Sequence, residues 1–152
     1  TGMYSELGMT HYSNQARTRG LMEEAAASGV DVIPIEVPDL RDLDPTIVER
    51  HLADGAGLFL NRLNDARRIS ALASGAFRLH WGRDYSICSA DDAADVDWWW
   101  PELARVRFDR LAMGQAAAEM MAAKLNGDTE GVASRRFQGH LVSGTTLIGK
   151  QS

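Results

Sequence analysis

The side chains able to do chemistry are few, and their spacing points away from catalysis. His11, His51, His80 and His140 lie far apart, with neither metal-ligand nor triad patterning, and His51 falls at a half-exposed turn of its helix. Cys88 is the single cysteine, so it has no internal disulfide partner and belongs to no metal cluster. Asp91 and Asp92 suggest paired carboxylates, but neighbours on an extended chain point to opposite faces and do not work as one acid–base pair. There is no Gly-x-Ser-x-Gly elbow and no glycine-rich loop to cradle phosphates. No catalytic residue, metal or cofactor is expected. The feature with most binding potential is the run Trp98, Trp99, Trp100. An indole can stack on the face of a sugar or purine. Three in succession cannot all meet one ligand, so one or two should wedge their loop onto the core.

Short apolar runs alternate with helical stretches, the pattern of βα units around a mainly parallel sheet. A helix is predicted over 13–28, with Ala16, Met22 and Ala26 on one face and Gly29 as its stop. Val30 to Val37 follows as a strand, and Pro34 within it argues for an edge, a bulge or a short strand. Asp44-Pro45 supplies an N-cap and a first-turn proline for a helix that carries Ile47, Val48 and Leu52 and stops at Gly55. Leu58-Phe59-Leu60 is a short buried strand, followed by a helix over 64–74 that buries Ile69 and Leu72 and ends at Gly75. Tyr85 to Cys88 is a further strand, and Ala90 to Pro101, rich in aspartate and tryptophan, is a loop. Arg105 to Phe108 is a strand with Val106 and Phe108 on one face. A helix over 110–126 closes at Asn126-Gly127, and Arg136 to Val142 is the last strand.

At 152 residues the chain suits one α/β domain. No apolar run approaches the ~20 residues needed to span a bilayer. The net charge is -5 and the arginines are scattered among carboxylates, so this segment has no basic face for nucleic acid. The opening Thr1-Gly2-Met3-Tyr4 has no initiator methionine at its first position and no signal-peptide pattern, as expected of a piece cut from something larger.

Three blocks carry a resemblance. Pro101 to Asp109, then Met113-Gly114-Gln115-Ala116-Ala117, then His140 to Leu147 give a proline-leucine opening, a short crossing strand, a glycine-alanine helix and a leucine-valine strand ending in serine and threonine. Upstream, Gly82 to Asp92 forms a strand that ends in a paired aspartate, and Ser13, Arg17 and Gly20 share one helix. In this order, from about residue 10 to 147, the chain resembles the LacI–GalR family of bacterial transcription regulators. The resemblance implies a periplasmic-binding-protein type of fold, with two Rossmann-like lobes and a ligand cleft between them. The chain would be mainly the C-terminal lobe, a three-layer α/β unit with a mainly parallel sheet, plus strands that cross to its partner. A DNA-binding head, a hinge and most of the N-terminal lobe would precede Thr1. Without that lobe, apolar surface should be exposed.

The resemblance also implies roles. Arg17 would hydrogen-bond ligand hydroxyls or carboxylates; the alternative is a surface arginine. Asn61 stands where the family has asparagine-aspartate, but Arg62 replaces the acid, which favours an anionic effector unless the side chain simply faces solvent. Trp99 is the member of its run expected at the ligand or partner lobe. Phe108 lies where the crossing strand meets the cleft, with core packing as the other reading. The expected effector is a sugar, sugar derivative or nucleoside, and the expected assembly is a homodimer in the cytoplasm that meets operator DNA only through the head. The competing function is a transporter's solute-binding protein, and a third is an α/β interaction domain without a ligand.

Overall fold

In a computed structural model the described residues are 2–6, 12–36, 44–93, 96–127 and 134–148, with backbone alone for 2–6, 35 and 36. The elements in chain order are β1 (Gly2–Glu6), α1 (Tyr12–Ala27), β2 (Val32–Glu36), α2 (Pro45–Ala53), β3 (Gly57–Leu60), α3 (Leu63–Ala76), β4 (Ser86–Ser89), α4 (Val96–Trp99), β5 (Ala104–Arg107), α5 (Arg110–Leu125) and β6 (His140–Val142). The sheet runs β2-β1-β3-β4-β5-β6. All neighbours are parallel except β5 and β6, whose register sets Val106 against Leu141. This is the expected α/β class with a mainly parallel sheet.

The strand order decides where the helices go. From β1 the chain steps outward to β2 and then jumps back past β1 to β3. Right-handed crossovers therefore put α1 on one face and α2 and α3 on the other. The core sits under α2 and α3: Val48, Leu52, Leu58, Leu60, Leu63, Ile69, Tyr85, Ile87, Val96, Trp100 and Leu103 form one buried cluster. Period-two alternation sends Leu58, Leu60 and Ile87 into it, while Phe59 and Cys88 point to the α1 face and stay half-buried.

Local signals behave as their chemistry requires. Pro34 lies on β2, an edge strand, where its missing N–H is tolerated. Asp44 caps α2, its carboxylate accepting from the Thr46 N–H at 2.9 Å. Gly29, Gly55 and Gly127 take positive φ at helix ends.

Other expectations need correction. β1, beside the switch in strand order, has no counterpart in the sequence reading. The inward face of α1 is Asn14, Thr18, Leu21 and Ala25, whereas Ala16, Met22 and Ala26 face outward. α3 runs through Gly75, and the left-handed residue after it is Arg78 at φ 58°. The loop after Ala90 contains a helical turn, and the last strand is confined to His140–Val142.

The late segment locks β4 to β5. The buried Thr146 hydroxyl accepts from the Ala104 N–H at 2.9 Å and donates to the Ile87 carbonyl at 2.7 Å. The Thr146 carbonyl accepts from the Ile87 N–H at 3.0 Å. Gly144 reaches this position by passing so close to β5 that an added Cβ would lie 1.8 Å from the Glu102 carbonyl oxygen and 2.6 Å from the Ala104 nitrogen. Backbone cannot yield as a flexible side chain can. Gly144→Ala should therefore lose about 3 kcal/mol or more of stability in urea denaturation. An unchanged midpoint would show that this approach is looser than drawn.

Candidate functional site at the carboxyl ends of the strands

In an open parallel sheet, ligands bind outside the carboxyl ends of the strands at the point where strand order reverses. Here that point lies between β1 and β3, whose following helices go to opposite faces. Glu6 ends β1 and α1 follows, while β3 ends at Leu60 and delivers Asn61 and Arg62. Asn61 is 1% exposed. The Arg17 guanidinium donates from Nη1 to the Asn61 carbonyl at 3.2 Å. Two residues chosen from the sequence, 44 positions apart, thus meet at the mouth of the sheet.

Arg62 is the N-cap residue of α3 and makes no side-chain capping bond. Its side chain is half-exposed, and its Nε lies 3.9 Å from the carboxylate of buried Asp65. The end of β4 comes alongside, with the Ala90 N–H donating to the Leu60 carbonyl at 2.7 Å. Asp91 and Asp92 stand next to this strand end.

These two aspartates diverge into separate ion pairs. Asp92 accepts from buried Arg105 Nε at 2.8 Å and from Arg107 Nε at 3.0 Å. Asp97, at the start of α4, also pairs with both arginines, reaching Arg107 at 2.6 Å. The hydrogen bond from Arg107, with Arg105 nearby, holds the Asp97 carboxyl below the usual range. Asp91 instead pairs with Arg110 at 3.0 Å, and Arg110 also bonds the Asp92 carbonyl. The sequence reading missed Arg105 because the strand pattern pointed to Val106 and Phe108 as the inward pair. The aspartates Asp91, Asp92 and Asp97, set against the three arginines within 105–110, were the signal that could have found it.

Trp99 and Phe108 lie elsewhere. Trp99 packs on Trp100 with ring centroids 6.1 Å apart, and Arg67 of α3 lies over its ring at 5.5 Å. Together with Trp98, Ser70 and Ala71 they line an open groove of about 590 Å³ between α3 and α4. Trp100 is buried against Trp81, and Trp98 is 92% exposed. One indole of the run therefore wedges the core, as its composition suggested. Phe108 packs beneath Gly139, where a Cβ would come within 2.7 Å of its ring. Among the described residues no His, Cys, Asp and Glu group is placed to hold a metal. Burial pushes the Cys88 thiol up to about 11, so it is a poor nucleophile at neutral pH.

The Arg105 ion pairs are internal struts. Removing one partner strands a charge, so Asp92→Ala should cost about 3–5 kcal/mol. Arg110→Ala, which breaks an exposed pair, should cost under about 1 kcal/mol. Equilibrium denaturation of both variants checks the contrast, and equal losses would refute it.

No family model matches the sequence, and no curated protein matches it. Solved structures do. A periplasmic binding protein/LacI transcriptional regulator from Alkaliphilus metalliredigens, complexed with D-xylulofuranose, superposes with a TM-score of 0.79 at 14% identity, over 97% of this chain and 57% of that one. A sugar-binding LacI-family regulator from Enterococcus faecalis gives 0.79 at 16%, over 97% and 56%. The lac repressor dimer bound to operator and the anti-inducer ONPF gives 0.75 at 16%, over 97% and 53%. No helix among the described residues is long and apolar enough to cross a membrane. The chain has the periplasmic-binding-protein-like fold seen in LacI-type regulators, and it spans a little over half the length of those structures.

Proposed function

We propose that this chain is the effector-sensing and dimerisation part of a LacI-type transcription regulator, mainly its C-terminal lobe. The observation that carries the reading is the Arg17–Asn61 contact at the reversal of strand order. A small ligand there would meet the Arg17 guanidinium, whose planar fork of donors suits hydroxyls and carboxylates. Asn61 and Arg62 complete the strand-end contacts, and a second lobe would form the roof. α5 supports a missing lobe, because Leu111, Met113, Met121 and Leu125 stand exposed on a helix that buries only Ala116. Ligand binding between two lobes would favour the closed state by its differential affinity, and a DNA-binding head outside this segment would report the change. The neighbours described with sugars and with operator DNA support this reading.

A thermal-shift screen of sugars, sugar phosphates and nucleosides on the protein tests it. At least one compound should raise Tm, and Arg17→Ala should remove that shift while leaving the unliganded Tm within a few degrees. A ligand shift that survives Arg17→Ala would move the site elsewhere.

We infer that a homodimer forms through the α3–α4 groove. Exposed Trp98 supplies apolar area on this face, which a two-fold copy would cover. Sedimentation velocity should find the protein dimeric and a Trp98→Lys variant largely monomeric. A variant that stays dimeric would exclude this face.

A further inference from the structure

We propose that two copies are joined by a reciprocal exchange, in which Trp98 of each copy enters the α3–α4 groove of the other and stacks on Arg67. This rests on the reading that a dimer forms through that face. It adds which side chain enters, what receives it and what holds it in place.

α4 has four residues, too few to be helical on their own account, so its neighbours must fix it. Val96 and Trp100 are buried in the core. Asp97 is tied to Arg105 and Arg107 of β5, the latter at 2.6 Å. Trp99 packs on Trp100 and lies under Arg67 of α3. With the residues on either side anchored, Trp98 is left standing in water, 92% exposed. Its backbone is ordered before any partner arrives, which lowers the entropy lost on association.

The groove that Trp98 rims holds a matching receptor. The Arg67 guanidinium lies over the Trp99 ring, 5.5 Å from its centre. Arg67 is exposed and makes no hydrogen bond or ion pair among the described residues. A guanidinium is planar, so Trp99 covers one face and the other is open to a second ring. Ser70 and Ala71, one turn further along α3, are short and keep that wall low. At about 590 Å³ the groove is within the range that encloses aromatic ligands. Knob and hole lie side by side on one surface, so a two-fold axis sends each indole into the opposite groove. An exposed indole brings about 200 Å² to a contact. That is roughly a quarter of the ~800 Å² each partner commits to a stable complex. Exposed Arg68, Ser74 and Gly75 continue the surface along α3.

The test is complementation between variants, read by sedimentation of Trp98→Ala, Arg67→Ala and their equimolar mixture. Each socket takes Trp98 from one copy and Arg67 from the other, so either variant alone breaks both sockets. Each should dimerise at least about a hundredfold more weakly than the unaltered protein. In the mixture, Trp98 of the Arg67→Ala copy meets Arg67 of the Trp98→Ala copy, and one socket is whole. The mixture should associate about tenfold more tightly than either variant alone. Fluorescence supplies a second reading, by difference against Trp98→Phe. Emission from Trp98 should move to shorter wavelength as rising protein concentration forms the dimer. A mixture no tighter than its components overturns the exchange but leaves the dimer standing, and so does Trp98 emission that dilution does not change. If the unaltered protein stays monomeric at every concentration, the dimer reading falls and the inference falls with it.

Discussion

A fully buried guanidinium, that of Arg105, constrains the rest of this fold. Moving a charge out of water costs several kcal/mol, and the cost is tolerable only if counter-charge and hydrogen bonds await it. Asp92 provides the first, with Asp97 and the Leu103 carbonyl filling the remaining directions. Meeting these demands fixes the path of the chain from β4 to β5: Asp92 must turn inward at the strand end, and α4 must bring Asp97 back over β5. Asp91 is thereby directed outward, where Arg110 takes it.

The short sheet ladder between β4 and β5 pairs only Cys88 with Ala104 and Ser89 with Arg105. Ion pairs and the Thr146 hydroxyl supply at this seam what strand length does not. Elsewhere apolar burial holds the layers, and it is lopsided. The α2–α3 side holds the buried cluster, while the α1 side leaves Phe59 and Cys88 partly open and α5 carries large apolar side chains to solvent.

Much of the architecture was legible in the sequence because its signals are local. Pro34 marked an edge, Asp44-Pro45 marked a helix start, and Gly55 and Gly127 marked stops. β1 was not legible, since Gly2 to Glu6 has neither alternation nor a continuous apolar run; its strand character comes from being flanked by β2 and β3. The face of α1 was misjudged because polar Asn14 and Thr18 turn inward, which no apolar stripe announces. At the site, Arg17 and Asn61 came from family order and do meet. Trp99 and Phe108 came from the same order, yet one lies against α3 and the other under Gly139. Arg105 escaped because its burial depends on partners 8 and 13 residues earlier, a relation that periodicity does not encode.

Thr146 gives the fold a direction in time. Its hydroxyl joins residues 42 and 59 positions earlier in the chain. As the polypeptide leaves the ribosome, β1 to β4 can pair and α2 and α3 can cover them, but the β4–β5 seam lacks its Thr146 bridge until the turn after β6 has emerged. Such long-range closures come late because chain entropy must be spent before the contacts form. A nascent chain therefore passes through an interval in which β5 lacks one of its ties while α5 stands exposed, and exposed apolar surface of this kind is what chaperones bind.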